Sequence, residues 1–234
     1  MEQVQVNKIK IYPFKSKAEL IDYVIDKHKI LIAIGVEKLL NTNKEFINIV
    51  NTNIAYSDGF GSVMALKKKG YTAEKIPGAY LWLDIIKTFY KEKSFYLIGA
   101  TQEILEQTIN KLKQDFENIN IVNYRNGYFS DNEIVDIQKD IVEKKPDIVF
   151  VALGSPKQEI LMRDFLQEHP ALYMGLGGSF DLYVGKAKPV PDWWKKTFKW
   201  EGLYRSFNDI GNIKRWKRQL IVFKFFYLYI FNKL

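Results

Sequence analysis

Cysteine is absent from the 234 residues, and histidine occurs twice, as His28 and His169. Disulfides, thiolate metal sites and a cysteine nucleophile are therefore excluded. No His, Asp and Glu group has metal-ligand spacing, so no tightly bound metal is expected. Long hydrophobic runs are also missing. No apolar stretch reaches the roughly 18 residues of a membrane-spanning helix. The first ten residues lack the apolar core of a secretory signal, and the expected location is the cytoplasm. No GK[ST] closes a glycine-rich loop, which excludes a Walker phosphate loop. Repeats and low-complexity tracts are absent as well.

What is present is a core-forming composition, 47% hydrophobic and 26% charged, which rules out a disordered chain. The length fits one domain, or one domain with an appendage. The net charge of +8 invites nucleic acid or an anionic membrane as partner. That charge is uneven. Residues 185–234 hold twelve cations against three anions, so the tail carries +9 and the body −1. The tail is also aromatic, with Trp193, Trp194, Trp200, Tyr204 and Trp216, which argues against a nucleic-acid arm.

Apolar runs alternate with helical patterns. Strands are expected at Ile30–Ile34, Asn53–Ser57, Ser94–Ile98, Ile119–Tyr124, Asp147–Leu153 and Leu172–Leu176. Helices are expected at Glu37–Val50, Gly61–Lys69, Gly78–Tyr90, Thr101–Phe116, Ser130 to about Lys144, and Pro156 to about Gln167; Ser130 with Glu133 reads as a capping box. The fold expected is α/β, a Rossmann-like, mostly parallel sheet with helices on both faces. Lys188-Pro189-Val190-Pro191 reads as a stiff connector. It divides a catalytic domain, 1–189, from a basic aromatic helical appendage, 190–234.

In such sheets the ligand crevice lies at the carboxyl ends of the strands. The polar or glycine-rich segments there are Asp58-Gly59, Gly99-Ala100-Thr101, Gly154–Glu159 and Gly175–Asp181. Asp58 at a strand end is a candidate general base, although Asp-Gly is also a common turn pair. In Gly154-Ser155-Pro156-Lys157-Gln158-Glu159, Pro156 suits the first helical position. The free N–H groups, the helix dipole and Lys157 would hold a pyrophosphate, and Gln158 offers donor and acceptor to a sugar or base. An ordinary helix start with a solvated lysine would look the same. Gly177 and Gly178 would let a ligand approach the backbone, or simply form a tight turn.

In the tail, Arg205, Arg215 and Arg218 could clamp diphosphate oxygens, or lie solvated. Leu220–Phe231 is apolar except for Lys224. As a helix it measures about 18 Å, short of the ~30 Å bilayer core. With basic residues before it, segment 212–231 suits a helix lying in an anionic membrane interface. Docking on the domain, on a second copy or in an assembly complex would use the same apolar residues.

Several segments together resemble the WecG/TagA/CpsF glycosyltransferases (glycosyltransferase family 26), nearest the WecG branch. The matching residues are Tyr56–Gly59, Gly154–Glu159 with Met162-Arg163-Asp164, and His169–Asp181 (HPALYMGLGGSFD). They continue through Gly185, Pro189, Pro191, Trp194, Glu201, Leu203-Tyr204-Arg205 and Lys214-Arg215, covering about residues 30 to 220. The resemblance implies an inverting transferase. It would move an N-acetylmannosamine-type sugar, ManNAc or ManNAcA-like, from a UDP donor to an undecaprenyl-diphosphate-linked sugar at the cytoplasmic face of the bacterial inner membrane. The UDP-sugar is a substrate, and no cofactor is implied.

Residue by residue, the resemblance gives Asp58 as base and Gln158 and Lys75 as catalytic partners. The strand-end segments supply Gly59, Gly99, Gly154, Ser155, Pro156, Lys157, Glu159, Gly177, Gly178 and Asp181 as candidate substrate contacts, and the resemblance adds Arg205 and Arg215 from the tail, with Arg218 beside them. Three departures stand out. Ala33-Ile34-Gly35 replaces a family Thr-x-Asn. Lys75 and Tyr80 replace Arg and Asp, with Asp84 one turn on as the candidate to restore the carboxylate. The proline after the Leu-Tyr-Arg segment is missing. These departures motivate an alternative, a catalytically altered member that binds lipid-linked sugars as an assembly scaffold.

Overall fold

Two short alternating runs open the chain and pair antiparallel as β1 (Val4–Val6) and β2 (Ile9–Ile11). Helix α1 (Lys17–Val24) follows, with Ser16 as its cap; the Ser16 hydroxyl accepts the Glu19 N–H at 3.0 Å. This opening unit lies outside the elements expected from sequence. The computed structural model describes residues 1–197, 201–207, 211 and 213–234, with the side chains of residues 192, 195, 196, 205, 214 and 215 outside that description.

The apolar runs form one sheet. Its strands are β3 (Ile30–Ile34), β4 (Ile54–Ser57), β5 (Ser94–Gly99), β6 (Asn120–Arg125), β7 (Ile148–Ala152) and β8 (Leu172–Gly175), in the order β4-β3-β8-β7-β5-β6. Every neighbouring pair is parallel. Central strands such as β7 are buried on both faces, which is why they read as continuous apolar runs. The fold is the α/β architecture the sequence predicts.

Helices cover both faces. On one side lie α2 (Val36–Leu39), α3 (Lys44–Asn51), α4 (Phe60–Lys68), α7 (Asp131–Lys144) and α8 (Lys157–Glu168), around a core with Phe46, Ile137, Met162 and Phe165. On the other lie α1, α5 (Gly78–Phe89), α6 (Gln102–Asp115) and α9 (Ser179–Tyr183), around Trp82, Ile104 and Phe180. The single helix expected over Glu37–Val50 is two. Asn41 accepts the Asn43 N–H at 2.8 Å, and Asn43 caps α3 by accepting the Phe46 N–H at 3.1 Å. Asparagine side chains that bond their own backbone stop one helix and start the next. The capping box at Ser130 and Glu133 forms as expected.

The tail continues as α10 (Asp192–Thr197), α11 (Glu201–Phe207) and α12 (Ile213–Ile230). Helix α12 lies against α2 and α11. Its Phe225 is fully buried and touches α4 at Gly61, where a Cβ would lie 3.4 Å from the ring. The far end of α4 holds the same helix: Lys68 bonds the Tyr229 carbonyl and sits 4.3 Å from the centre of the Tyr229 ring.

Candidate active site

The carboxyl ends of β3, β4, β7 and β8 open into one cavity of about 900 Å³, roofed by residues of α11 and α12. Strand order brings these four ends together: β3 and β8 are neighbours although about 140 residues separate them. The wall includes Ala33, Gly35 and Lys38 after β3, Asp58 and Gly59 after β4, Gly154 to Pro156 with Gln158 after β7, and Gly175 to Gly178 after β8. Lys75 enters from the segment leading into α5, Tyr80 from the first turn of α5, and Glu201, Arg218 and Gln219 from the tail.

Asp58 stands partly exposed in this wall. Its Oδ1 accepts the Gly78 N–H at 2.6 Å. Burial raises its pKa above the ordinary aspartate value, and the Glu201 charge adds to the rise; the Gly78 hydrogen bond, Lys38 and Lys75 oppose it. Gly78 has no room for a side chain, because a Cβ would lie 2.7 Å from Tyr56 Oη and 3.2 Å from Ala33 Cβ. Tyr56 Oη is buried with no hydrogen-bond partner among the described residues, and burial followed by the Asp58 charge pushes its pKa well up.

Lys75 pairs with Glu201 of α11 at 2.5 Å, and Arg218 of α12 with Glu37 at 3.1 Å. The tail is thus tied to the core across the cavity by two ion pairs of opposite polarity. Gln158 is buried, and both ends of its amide are hydrogen-bonded. Its Oε1 accepts the N–H groups of Gly154 and Gly177, each at 3.1 Å, and its Nε2 donates to Glu159 Oε1 at 3.2 Å. The amide lies over Gly175, where a Cβ would be 2.3 Å from Nε2. Gln158 therefore staples the two glycine turns together.

The structure gathers Asp58, Gly59, Lys75, Gly154, Ser155, Pro156, Gln158, Gly177, Gly178 and Arg218 of the expected residues into this wall. Others lie elsewhere. Lys157 turns outward over the Phe129 ring, 5.2 Å from its centre, because it starts α8 on the side facing away from the cavity. Pro156 sits one place earlier than expected, as the cap of α8. Glu159 points inward and is buried against Lys38. Gly99 serves strand packing, since a Cβ there would stand 2.3 Å from the Ala152 carbonyl oxygen. Asp181 is on α9 outside the wall. Asp84 does not restore the carboxylate missing at Tyr80; it faces α1 and pairs with Lys17 at 2.7 Å. The side chains of Arg205 and Arg215 lie outside the described residues.

Both histidines line a separate hollow of about 180 Å³ near the amino ends of the strands, where His169 Nε2 meets the Pro146 carbonyl at 2.9 Å. Among the described residues no group of three or more acidic or histidine side chains is placed to hold a metal ion. Sequence reasoning missed Lys38, and it named Glu201 only among the residues that match the family, with no role in the site. The only signal for Lys38 was its place one turn after a strand end, and nothing marked Glu201 as facing Lys75.

A parallel sheet with a polar cleft at its carboxyl edge is an α/β protein of the doubly wound kind, with the ligand site at the usual end. The model of the Glycosyl transferase WecG/TagA/CpsF family matches residues 4–234, and the chain belongs to that family. It is accordingly a glycosyltransferase of cell-surface polysaccharide synthesis. No helix of the described residues is long and apolar enough to cross a membrane.

Proposed function

We propose that the protein transfers an N-acetylmannosamine-type sugar from a UDP donor to an undecaprenyl-diphosphate-linked sugar, with inversion. The observation that carries the reading is Asp58: a carboxylate of raised pKa in the cavity wall, fixed by the Gly78 amide, with cations nearby. In the reaction, the acceptor hydroxyl gives its proton to Asp58 and attacks the anomeric carbon from the face opposite the diphosphate. The glycosidic bond to UDP breaks, and the leaving oxygen takes the electron pair. A base with a raised pKa accepts a hydroxyl proton better than an ordinary aspartate. Lys75 supplies positive charge, joined from the tail by Arg218, Arg205 and Arg215, for the charge that develops on the leaving diphosphate. Gln158 acts in this scheme by holding the glycine turns rather than by touching the reacting atoms.

The appendage from residue 190 onward would close the site and rest on the cytoplasmic face of the membrane, where a lipid-linked acceptor resides. Helix α12 supports this with an apolar outer face: Leu220 and Ile230 are each 67% exposed, beside Phe223, Tyr227, Lys217 and Lys224. A test is a panel of UDP-sugars offered with an undecaprenyl-diphosphate-GlcNAc analogue and read by product mass. A product that gains one N-acetylhexosamine-type residue and disappears with Asp58→Asn supports the reading. A panel without product, while UDP still binds, supports the scaffold reading instead. The observation favouring that second reading is the wall at Ala33 and Gly35, which presents no polar side chain.

A further inference from the structure

Three cations line the cavity among the described residues, and each meets a carboxylate. Arg218 and Glu37 form a half-exposed pair at the mouth, and Lys75 with Glu201 is partly exposed. Lys38 reaches deepest. Its ammonium lies 2.8 Å from Oε1 of Glu159, whose side chain is 1% exposed and whose Oε2 has no partner among the described residues. The same Oε1 accepts Gln158 Nε2, and Gln158 Oε1 in turn receives the Gly154 and Gly177 amides. A continuous chain of polar contacts therefore fixes the Lys38 ammonium beside the two glycine turns.

Those turns have already used two of the donors that an anion would seek, since the Gly154 and Gly177 N–H groups point into Gln158. The space in front of them is open. A Cβ on Gly35, Gly154, Gly177 or Gly178 would meet nothing within 4 Å. An anion entering here meets an ammonium first. Lys38 has three N–H donors, so it can keep Glu159 and still offer hydrogen bonds to phosphate oxygens.

We propose that Lys38 receives the diphosphate of the sugar-nucleotide donor, with Glu159 and Gln158 as positioning residues that hold its ammonium against the glycine turns. The inference rests on the reading of this cavity as a sugar-nucleotide site. The buried carboxylate keeps the lysine extended in the empty site, so less rotamer freedom is lost when the ligand arrives.

The experiment is calorimetric titration of the full-length protein with UDP and, separately, with inorganic pyrophosphate. The variants are Lys38→Met, Lys38→Arg, Glu159→Gln, and Lys38→Met combined with Glu159→Gln. The double variant leaves no orphaned buried charge, so it keeps the test valid if Lys38→Met alone fails to fold. Lys38→Met and the double variant are expected to weaken both ligands about tenfold or more, the loss of one charged hydrogen bond. Lys38→Arg recovers most of the affinity. Glu159→Gln, whose amide oxygen still accepts a hydrogen bond from the ammonium, keeps Lys38 in place and binds nearly as tightly as the natural protein.

Binding of both ligands within twofold of the natural protein by the double variant would overturn the role of Lys38 and leave the sugar-nucleotide reading standing. Equal loss in Glu159→Gln and Lys38→Met would overturn it too, marking the pair as structural. If pyrophosphate binds in a Lys38-dependent way while UDP does not, the assignment of Lys38 stands and the uridine donor falls. Binding of neither ligand to the natural protein would overturn both.

Discussion

Asp58 and Gly78 are bound to each other in the cavity wall, the Gly78 amide donating to the Asp58 carboxylate at 2.6 Å. The contact exists because residue 78 lacks a side chain: Tyr56 Oη and Ala33 Cβ already fill the space. Gly78→Ala should cost about 1–3 kcal/mol of stability by overpacking and shift Asp58 from its place. Tyr56→Phe removes a buried hydroxyl that has no partner, so alone it should be neutral or stabilising. Combined with Gly78→Ala it should recover part of the loss. Urea denaturation of the four proteins measures this, and a double variant no more stable than Gly78→Ala would refute the proposed clash.

Asp58→Asn should reduce turnover by roughly 10²–10⁴-fold, the usual worth of a general base, while UDP affinity changes little. Because burial raises the Asp58 pKa, the acid limb of kcat/KM should lie above the ordinary aspartate range. Glu201→Gln should move that limb to lower pH, since the Glu201 charge contributes to the rise. Stability follows from the same shift. A carboxyl with a raised folded pKa adds stability that is fully present below its unfolded pKa. That stability is lost as pH climbs through the folded one. Asp58→Asn should therefore gain stability over the natural protein at neutral pH and none at strongly acidic pH. An acid limb that persists in Asp58→Asn would remove Asp58 from the role of base.

Gln158→Ala leaves the amides of Gly154 and Gly177 without their shared acceptor. The expected cost is about 1–3 kcal/mol. Hydrogen exchange should report it at both glycines together, although 23 residues separate them in sequence. Exchange that quickens at one glycine alone would mean that the two turns are not held by one side chain.

The outward face of α12 should govern membrane attachment without governing the fold. Leu220→Ser with Ile230→Ser should cut pelleting with anionic liposomes while leaving the melting temperature nearly unchanged, because both residues are mostly exposed. Phe225→Ser should do the reverse and unfold the helix from α4, since that ring is fully buried. Unchanged pelleting in the first variant would assign attachment to other residues.

Much of the fold could be read from the chain because a parallel sheet writes itself as apolar runs spaced by helical patterns. The expected strand Ile30–Ile34 matches to the residue, and the others differ by one residue at one or both ends. The turn at Asn41 to Asn43 escaped because apolar periodicity runs across it, while side-chain bonds to the backbone break it. In the site, glycine carried an ambiguous signal. Gly177 stands before open space and Gly99 is pressed on a neighbouring strand, and sequence gives both the same letter. Lys38 was illegible for another reason. Its environment comes from Glu159, 121 residues later, and only the β3–β8 and β7–β8 pairings bring the two together.

Helix α12 is greasy on two sides, one spent on the domain and one left over. That arrangement has a practical consequence at the bench. Screening by simple salt weakens attraction between its lysines and anionic headgroups, whereas sulfate and similar excluded salts strengthen contact between apolar surfaces. The two salts should therefore part company: sodium chloride releases the enzyme from an anionic bilayer into solution, while ammonium sulfate drives the bare outer faces of neighbouring molecules together and precipitates it early. A mild detergent that coats Leu220 and Ile230 should abolish the early precipitation.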